Sequence, residues 1–361
     1  MKYIHSLIIL SLLLLSCSKQ NDDFVWERNM GNGFASFITA TPDSGFLSCG
    51  QVDGTPFLVR LARDRSKMTE FKKEQTGTFT SAWCDTSRII TAGNINGKMH
   101  ISCIRNNGEL IWDTTLVSTY VVNNSIMLHT GSDEFVDVGS ESSDSVISGP
   151  TGLLFLKFDS TGNISYRKDI TETAFLAAND ISCDRNGNFY LPLTRKTGSA
   201  KMKASVAKFN NSFQKIWETD LYNNPDFGAV PTSVVNDDSG NLYLTGKTEL
   251  STQAGTVDNT FITSLSSAGT VRWKKYLEQS NTGMSLVLFN NELMVLNKNC
   301  FFINKADPAD GADGGRFNMF SSCDQKNTSA FGAGIDIDYQ GNILLAGSKG
   351  GSYYLAVKTL Q

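Results

Sequence analysis

The sequence predicts an all-β fold in which one unit is repeated around a ring, and three observations support this. A short apolar segment recurs along the chain, each copy lies between polar turns, and the two chain ends supply complementary parts of one unit. The copies end about 50 residues apart, a period typical of propeller blades. They end at Gly50, Gly93, Gly139, Leu193, Gly246, Asn297 and Gly347. We therefore expect a seven-bladed β-propeller of four-stranded antiparallel blades.

Within each unit the elements follow a fixed order: an inner strand, a polar turn, the recurring segment, a third strand, a second turn and an outer strand. The first turn carries an Asp that can cap it and a Gly that can adopt positive φ. Such turns are Asp184–Asn188, Asp237–Asn241 and Asp338–Asn342. The third strand alternates apolar and polar residues, and the outer strand follows a Gly and contains a Trp. This pattern is clearest in Phe261–Leu277, with Trp273, and recurs at Trp112 and Trp217.

The chain ends are expected to complete the last unit together. The seventh unit stops within residues 353–361, before an outer strand, whereas Phe24–Arg28 resembles the Trp-containing outer strand of the other units. Pairing these segments would leave no unpaired edge between the first and last blades. The sequence thus predicts one propeller domain, residues 24–361, closed by the N-terminal strand, which completes the last blade.

The first 23 residues predict where the protein is located in the cell. Lys2 precedes an apolar run, Ile4–Leu15, that is too short to cross a bilayer core of roughly 30 Å. The segment Leu14–Cys17 resembles a bacterial lipobox. The resemblance implies a lipoprotein signal peptide over residues 1–16, acylation of Cys17 with fatty acids such as palmitate, and a tether over residues 17–23. An ordinary secretory leader with an incidental Cys is the alternative.

The tether also suggests which membrane is involved. Its acidic pair, Asp22 and Asp23, resembles the export signal of surface lipoproteins in Bacteroidetes, although the acids lie five and six positions past Cys17. We therefore expect a lipid-anchored protein of the outer membrane. The cell surface is the expected side, and the periplasmic face is the alternative.

Composition argues against several functional classes. A hydrophobic fraction of 40% and an aromatic fraction of 10% are sufficient for a large core. The net charge of −4, without a run of Lys or Arg, lacks the electrostatic footprint of nucleic-acid binding. Three His leave little for a His-based centre, and no nucleophile, metal or phosphate-loop motif occurs. We expect no nucleic-acid partner, no cofactor and no catalytic residue.

The repeated units resemble the seven-bladed propeller repeats of bacterial secreted proteins and lipoproteins, in the Bacteroidetes type with a lipobox. The resemblance covers nearly all of residues 24–361 and implies the fold, but propellers host enzymes, binders and scaffolds alike. The Gly-to-Trp outer hairpins, such as Asn107–Trp112, are also similar to a motif of propellers that bind pyrroloquinoline quinone. In that family the Trp side chains mainly dock neighbouring blades.

Two residues of the inner strands are candidate ligand-binding positions. Small or polar residues recur there, as crowding around a wet central channel alone would require, and Asp180 is the charged one among them. Trp83 lies in an inner strand, whereas the other Trp residues occupy outer strands. Its ring could stack on a sugar at the channel mouth or fill space between blades.

Two further groups suggest weaker hypotheses. Asp307, Asp310 and Asp313 place three carboxylates on a Gly-rich loop, and Ca²⁺ accepts such ligands, but the spacing of three does not match an EF-hand loop. A solvated loop is the competing interpretation. Cys300 and Cys323 flank the outer hairpin of the sixth unit and could form a disulfide in an oxidising compartment.

These observations favour a binding or scaffolding propeller with a glycan or protein ligand over an enzyme. The alternative is an enzyme that cleaves extracellular glycans or depends on a quinone. Glycan cleavage would need two carboxylates facing each other about 5 to 10 Å apart across the channel. Asp180 and Asp336 are the residues that the sequence nominates for such a pair.

Overall fold

The computed structural model describes most of the proposed domain. The described ranges are residues 24–65, 68–118, 120–131, 133–142, 151–172, 175–196, 201–222, 228–252, 255–277, 282–299, 301–317, 319 and 330–360. All regular elements in these ranges are β-strands, which confirms the all-β prediction. The described ranges hold no helix that could cross a membrane. Cys17, Cys300 and Cys323 lie outside the described residues.

The described residues form 28 strands. In chain order they are β1 (Phe24–Ala40), β2 (Phe46–Val52), β3 (Thr55–Leu61), β4 (Met68–Lys72), β5 (Gly77–Cys84), β6 (Arg88–Ile95), β7 (Lys98–Arg105), β8 (Leu110–Thr115), β9 (Val121–Gly131), β10 (Glu134–Ser142), β11 (Thr151–Asp159), β12 (Ile164–Glu172), β13 (Phe175–Ala178), β14 (Ser182–Cys183), β15 (Phe189–Lys196), β16 (Lys203–Phe209), β17 (Lys215–Tyr222), β18 (Ala229–Asn236), β19 (Leu242–Thr252), β20 (Gly255–Leu265), β21 (Val271–Leu277), β22 (Gly283–Phe289), β23 (Glu292–Asn297), β24 (Ile303–Ala306), β25 (Asp313–Phe317), β26 (Ala330–Ile337), β27 (Asn342–Lys349) and β28 (Ser352–Thr359).

These strands form antiparallel sheets whose members are mostly consecutive in the chain. Four sheets have four strands each: β5–β8, β9–β12, β18–β21 and β22–β25. A fifth sheet has the same order, except that its first strand is split into β13 and β14, which both pair with β15. The sixth runs β26-β27-β28-β1-β2-β3-β4. The predicted architecture of repeated four-stranded antiparallel sheets is thus confirmed.

Strand β1 belongs to two groups of strands. Its first part, Phe24–Asn32, pairs with β28, and its second part, Gly33–Ala40, pairs with β2. The register shifts between Asn29 and Asn32, next to two glycines with positive φ, Gly31 and Gly33. Glycine tolerates this conformation where other residues would be strained. The first described segment therefore lies beside the last described strand, as the sequence predicts.

The recurring segment is the second strand in each group, and its preceding turn has the expected geometry. In the turn Asp184–Asn188, Asp184 Oδ1 accepts the N–H groups of Asn186 and Asn188 at 2.9 Å, and Gly187 has φ of +75°. The turns that begin at Asp237 and Asp338 repeat these bonds. The Asp and Gly of each turn therefore stabilise the hairpin that joins the first strand of a group to the second.

The hydrophobic core lies between neighbouring sheets. Where β9–β12 faces the next sheet, the rings of Phe155 and Phe213 stack at 4.7 Å, and Val136 and Phe189 are fully buried beside them. First strands of successive groups also pack side by side: β1 on β5, β5 on β9, β14 on β18, β18 on β22, β22 on β26 and β26 on β1. The sheets are therefore arranged so that their first strands face a common centre.

Outer-strand tryptophans dock each sheet on the next, at the side away from this centre. Trp112 covers Gly162, where a Cβ would lie 3.1 Å from its ring carbons, and its indole N–H donates to Ser160 O at 3.0 Å. Trp217 covers Gly269 in the same way. The Gly-to-Trp hairpins therefore serve packing, as the sequence resemblance implies.

Candidate functional site

The first strands enclose a cavity of about 1330 Å³, which is the candidate functional site. Its proximal mouth, on the face where the described chain begins at Phe24, is lined by Trp83, His129 and Tyr339. The distal mouth, at the opposite ends of the first strands, is lined by Phe34, Phe331 and Lys298. Such a volume is large enough for a small ligand or the end of a polymer.

Irregular residues in the first strands bind each strand to the next one around the cavity. Register shifts occur at Ser36, Thr80 and Thr232, and a β-bulge of this kind turns a side chain out of the ladder. Ser36 Oγ donates to Phe79 O at 2.8 Å, and Thr232 Oγ1 donates to Gly283 O at 2.6 Å. These polar side chains of the cavity wall are therefore engaged in holding the sheets together.

Asp180 lies in the cavity wall, and its carboxylate binds two backbone N–H groups. Oδ2 accepts the N–H of Val234 in the next first strand at 2.9 Å, and Oδ1 accepts the N–H of Ile181 at 2.8 Å. Burial raises the pKa of Asp180 to about 6, against the opposing effect of these bonds. Asp180 thus links two sheets. Its predicted role in ligand binding stays a prediction.

Asp336 makes the same link elsewhere. Its Oδ2 accepts the N–H of Ala40 and the hydroxyl of Thr39, both at 2.9 Å, and burial raises its pKa. Asp180 is the one carboxylate among the described residues that line the cavity. The two residues nominated for glycan cleavage are therefore both engaged in bonds between neighbouring strands.

Trp83 lies at the proximal mouth, partly exposed, beside a histidine. Its ring stacks on His129 with centroids 4.4 Å apart and meets the edge of Phe135 at 5.1 Å. Burial lowers the pKa of His129, while the charges of Asp133 and Asp85 oppose this. One face of the indole is thus covered by His129. The ring both packs against its neighbours and borders the cavity, and its role in ligand binding stays a prediction.

The distal mouth carries two aromatic side chains that the sequence analysis did not select. Phe34 and Phe331 are each 37% exposed, whereas most other described Phe side chains are buried. Phe34 belongs to β1 and Phe331 to β26, and these strands pack side by side. Lys298 Nζ lies 5.8 Å from the ring centroid of Phe331. The residues are far apart in the chain, and the packing of β26 on β1 places both in the lining of one cavity.

The three acidic residues proposed for Ca²⁺ do not converge. Asp307, Asp310 and Asp313 each accept the backbone N–H two residues later, at 2.7 to 2.8 Å, as in a hydrogen-bonded polar turn. In the described part of the chain, no three His, Cys, Asp or Glu side chains are grouped so that they could hold a metal ion. The described geometry supports the solvated-loop interpretation of this segment.

A Ser–His pair occurs elsewhere but has no route to a substrate. His100 Nε2 lies 2.9 Å from Ser102 Oγ, and Nδ1 lies 2.7 Å from Thr115 Oγ1. Ser102 is fully buried and His100 is 3% exposed. Burial lowers the pKa of His100 to about 4, helped by the charge of Lys73. This arrangement is a satisfied polar group inside a sheet interface, not an accessible nucleophile.

Comparisons with known proteins identify the fold. No protein-family model and no curated protein matches this chain. The WD40 domain of Neurospora crassa Pan2 is similar in structure, with a TM-score of 0.62 and 12% identity over 93% of this chain and 96% of that chain. Polysaccharide lyase Uly1 is similar with a TM-score of 0.61 and 10% identity over 95% and 93%. At such identities the likeness shows the fold alone, and it is a propeller-type fold.

Proposed function

We propose that this protein is a lipid-anchored, seven-bladed propeller that binds an extracellular saccharide in its central cavity without cleaving it. The observation that carries the proposal is the cavity of about 1330 Å³ with partly exposed aromatic side chains at both mouths. Aromatic rings pack well on the apolar faces of sugars. A protein ligand, or a scaffolding role in the envelope, is the alternative within the same class.

Seven blades and a closed ring are supported by pairing and packing. Counting the first part of β1 with β26–β28, and its second part with β2–β4, divides the described strands into seven groups of one design. The first strands of the last and first groups, β26 and β1, pack on each other as other neighbours do. Such a closed arrangement leaves no free sheet edge at the junction of the two chain ends.

The hydrogen bonds of the two carboxylates nominated for cleavage support binding over hydrolysis. Asp180 and Asp336 each accept backbone N–H groups from the neighbouring strand, so both carboxylates have a structural use. A retaining or inverting hydrolase would need one of them to donate or accept a proton at a bound sugar. An enzyme remains the competing class, since polysaccharide lyase Uly1 has a similar fold.

A glycan-array screen with product analysis tests the proposal. The chain from residue 17 to 361 is applied to the array, and each hit is incubated with the protein and examined by mass spectrometry. We expect at least one glycan to be retained at its original mass. A cleaved product would overturn the non-catalytic assignment. Absence of any bound glycan would overturn saccharide binding, and crosslinking in the native envelope would then seek a protein partner.

The anchor needs a separate experiment. Replacing Cys17 with Ala removes the thiol that the lipobox resemblance assigns to acylation. We expect the wild-type protein to incorporate an alkyne-labelled palmitate and to sediment with membranes. Cys17→Ala should do neither. A Cys17→Ala protein that still sediments with membranes, or a wild-type protein that incorporates no label, would contradict the lipid anchor.

A further inference from the structure

The distal mouth combines apolar and cationic groups in a way that the rest of the cavity does not. Phe34 and Phe331 expose their rings, and the ammonium group of Lys298 lies 5.8 Å from the Phe331 centroid. All three side chains line the same cavity. The mouth therefore offers flat apolar surfaces together with one positive charge.

Lys298 differs from neighbouring lysines in its pairing. Lys305 is paired with Glu292 at 2.8 Å, and Lys349 is paired with Glu27 at 3.1 Å. No carboxylate among the described residues pairs with Lys298, whose side chain is exposed. Since an ammonium group forms its strongest hydrogen bonds with an anionic acceptor, a ligand carboxylate fits this position.

The backbone around Lys298 is held in place. The N–H of Lys298 donates to Thr282 O at 2.8 Å, and its carbonyl accepts the N–H of Gly332 at 2.7 Å. The next residue, Asn299, forms a β-bridge with Phe331. These bonds fix the Cα of Lys298 relative to the first strands on both sides, so little backbone ordering is needed when a ligand binds.

The proximal mouth has a different chemistry. Arg88, at the start of β6 on the same face, is paired with Asp85 at 3.1 Å and with Asp133 at 3.4 Å. Trp83 is stacked on His129, whose pKa is lowered by burial. The proximal mouth therefore lacks an unpaired cation of the kind that Lys298 supplies, as far as the described residues extend.

We propose that the distal mouth binds an acidic saccharide. Lys298 receives the carboxylate of a uronic acid, while Phe34 and Phe331 contact the apolar face of a sugar ring. This inference rests on the proposed saccharide-binding function and names its ligand class. No bond is made or broken in the process. The interaction is an ion pair with an exposed lysine, so the affinity falls as salt concentration rises.

The experiment compares oligosaccharides of equal length by calorimetry. The probes are neutral, uronate-containing and sulfated oligosaccharides, and the protein is the chain from residue 17 to 361. Wild-type protein is compared with Lys298→Gln, Lys298→Arg and Phe331→Ala, and with Lys203→Gln as a matched control. Lys203 is an exposed lysine outside the cavity lining. Circular dichroism and thermal melting establish that each variant is folded.

We expect wild-type protein to prefer the uronate probe to the neutral one by about tenfold, which is the scale of one charge-assisted contact. Lys298→Gln should abolish this preference without changing neutral binding, and Lys298→Arg should keep it. Phe331→Ala should weaken the binding of both probes, and Lys203→Gln should leave the binding of both unchanged.

Three outcomes would overturn the inference. Equal binding of neutral and uronate probes by wild-type protein would remove the evidence for a carboxylate site, while leaving saccharide binding intact. Retention of the uronate preference in Lys298→Gln would exclude Lys298 as its cause. A preference for the sulfated probe over the uronate probe would replace the carboxylate with another anion. If none of the oligosaccharides bound to wild-type protein, in contrast, the proposed function itself would be overturned.

Discussion

The Oδ2 atom of Asp336 lies 2.9 Å from the backbone nitrogen of Ala40, although 296 residues separate them in the chain. Asp180 makes the same bond to Val234 at the same distance. In each pair, a carboxylate from one first strand satisfies an N–H group of the next. A buried carboxylate is costly unless hydrogen bonds satisfy it, so these aspartates are best explained as links between sheets.

Replacing Asp336 with Ala should lower the free energy of unfolding by about 2 kcal/mol, because the N–H of Ala40 and the hydroxyl of Thr39 lose their acceptor. Urea denaturation followed by tryptophan fluorescence measures the change. Asp238→Ala is the control, since Asp238 is 88% exposed in a surface ion pair with Arg185 and its removal should cost less than about 0.5 kcal/mol. Equal effects of the two substitutions would contradict the linking role.

Asp137 should make stability fall as pH rises. Its carboxylate is fully buried and accepts a hydrogen bond from Ser125 Oγ at 2.9 Å, and burial raises its pKa to about 7. Because the folded pKa lies above the ordinary value of 3.8, the folded protein favours the protonated acid. The stabilisation is complete below pH 3.8 and is lost as pH rises through 7.

The comparison with Asp137→Asn isolates that effect. Between pH 4 and pH 8, the free energy of unfolding of wild-type protein should fall relative to the variant by an amount on the order of 3 kcal/mol. Denaturant titrations at each pH provide the two curves. Parallel curves over this range would show that Asp137 ionises normally.

His100 should have the opposite pH dependence. Burial lowers its pKa to about 4, below the ordinary value of 6.5, so the folded protein favours neutral imidazole. Its stabilisation is present above pH 6.5 and is lost as pH falls through 4. Relative to His100→Gln, wild-type protein should lose on the order of 3 kcal/mol between pH 7 and pH 3.5. A ring proton signal in NMR that titrates near pH 6.5 would refute this.

Replacing Gly269 or Gly54 with Ala distinguishes the cost of a steric clash from the cost of backbone strain. Both have positive φ, +84° and +75°, but a Cβ at Gly269 would lie 2.9 Å from Trp217, whereas a Cβ at Gly54 meets nothing within 4 Å. Gly54→Ala should cost about 1 kcal/mol from the left-handed conformation alone. Gly269→Ala should cost roughly 1 to 3 kcal/mol more, because Trp217 must move. Thermal unfolding of both variants gives the difference, and equal losses would mean that the Trp contact contributes little.

Much of the fold could be predicted from the sequence because local signals repeat. The turn Asp184–Asn188 has its capping Asp and its Gly at fixed positions, and both act as expected. Trp112 was recognisable as a docking residue by its distance from the preceding Gly. The pairing of Phe24–Arg28 with the last strand followed from one missing strand at the C-terminal end.

The site was less accessible to prediction because it depends on relations between distant strands. The side chain of Asp180 could be placed near the channel, but its acceptor role depends on Val234 in the next strand. Phe34 and Phe331 line the same cavity because β1 packs on β26. Phe331 is the second residue of β26, and Phe34 lies just after the point where β1 changes its pairing partner, but nothing in the local sequence marks either residue as exposed.

The division of β1 between two groups of strands has a consequence for biosynthesis. Phe24–Asn32 is synthesised before all the other described strands, whereas its partner, β28, is the last of the described strands to be synthesised. The hydrogen-bond partners of this segment therefore do not exist until strands β2–β27 have been synthesised. Native structure is completed only after the last residues of β28 have been released. A nascent chain that lacks those residues would hold an open sheet edge at each end, and a second unfinished copy could pair with it.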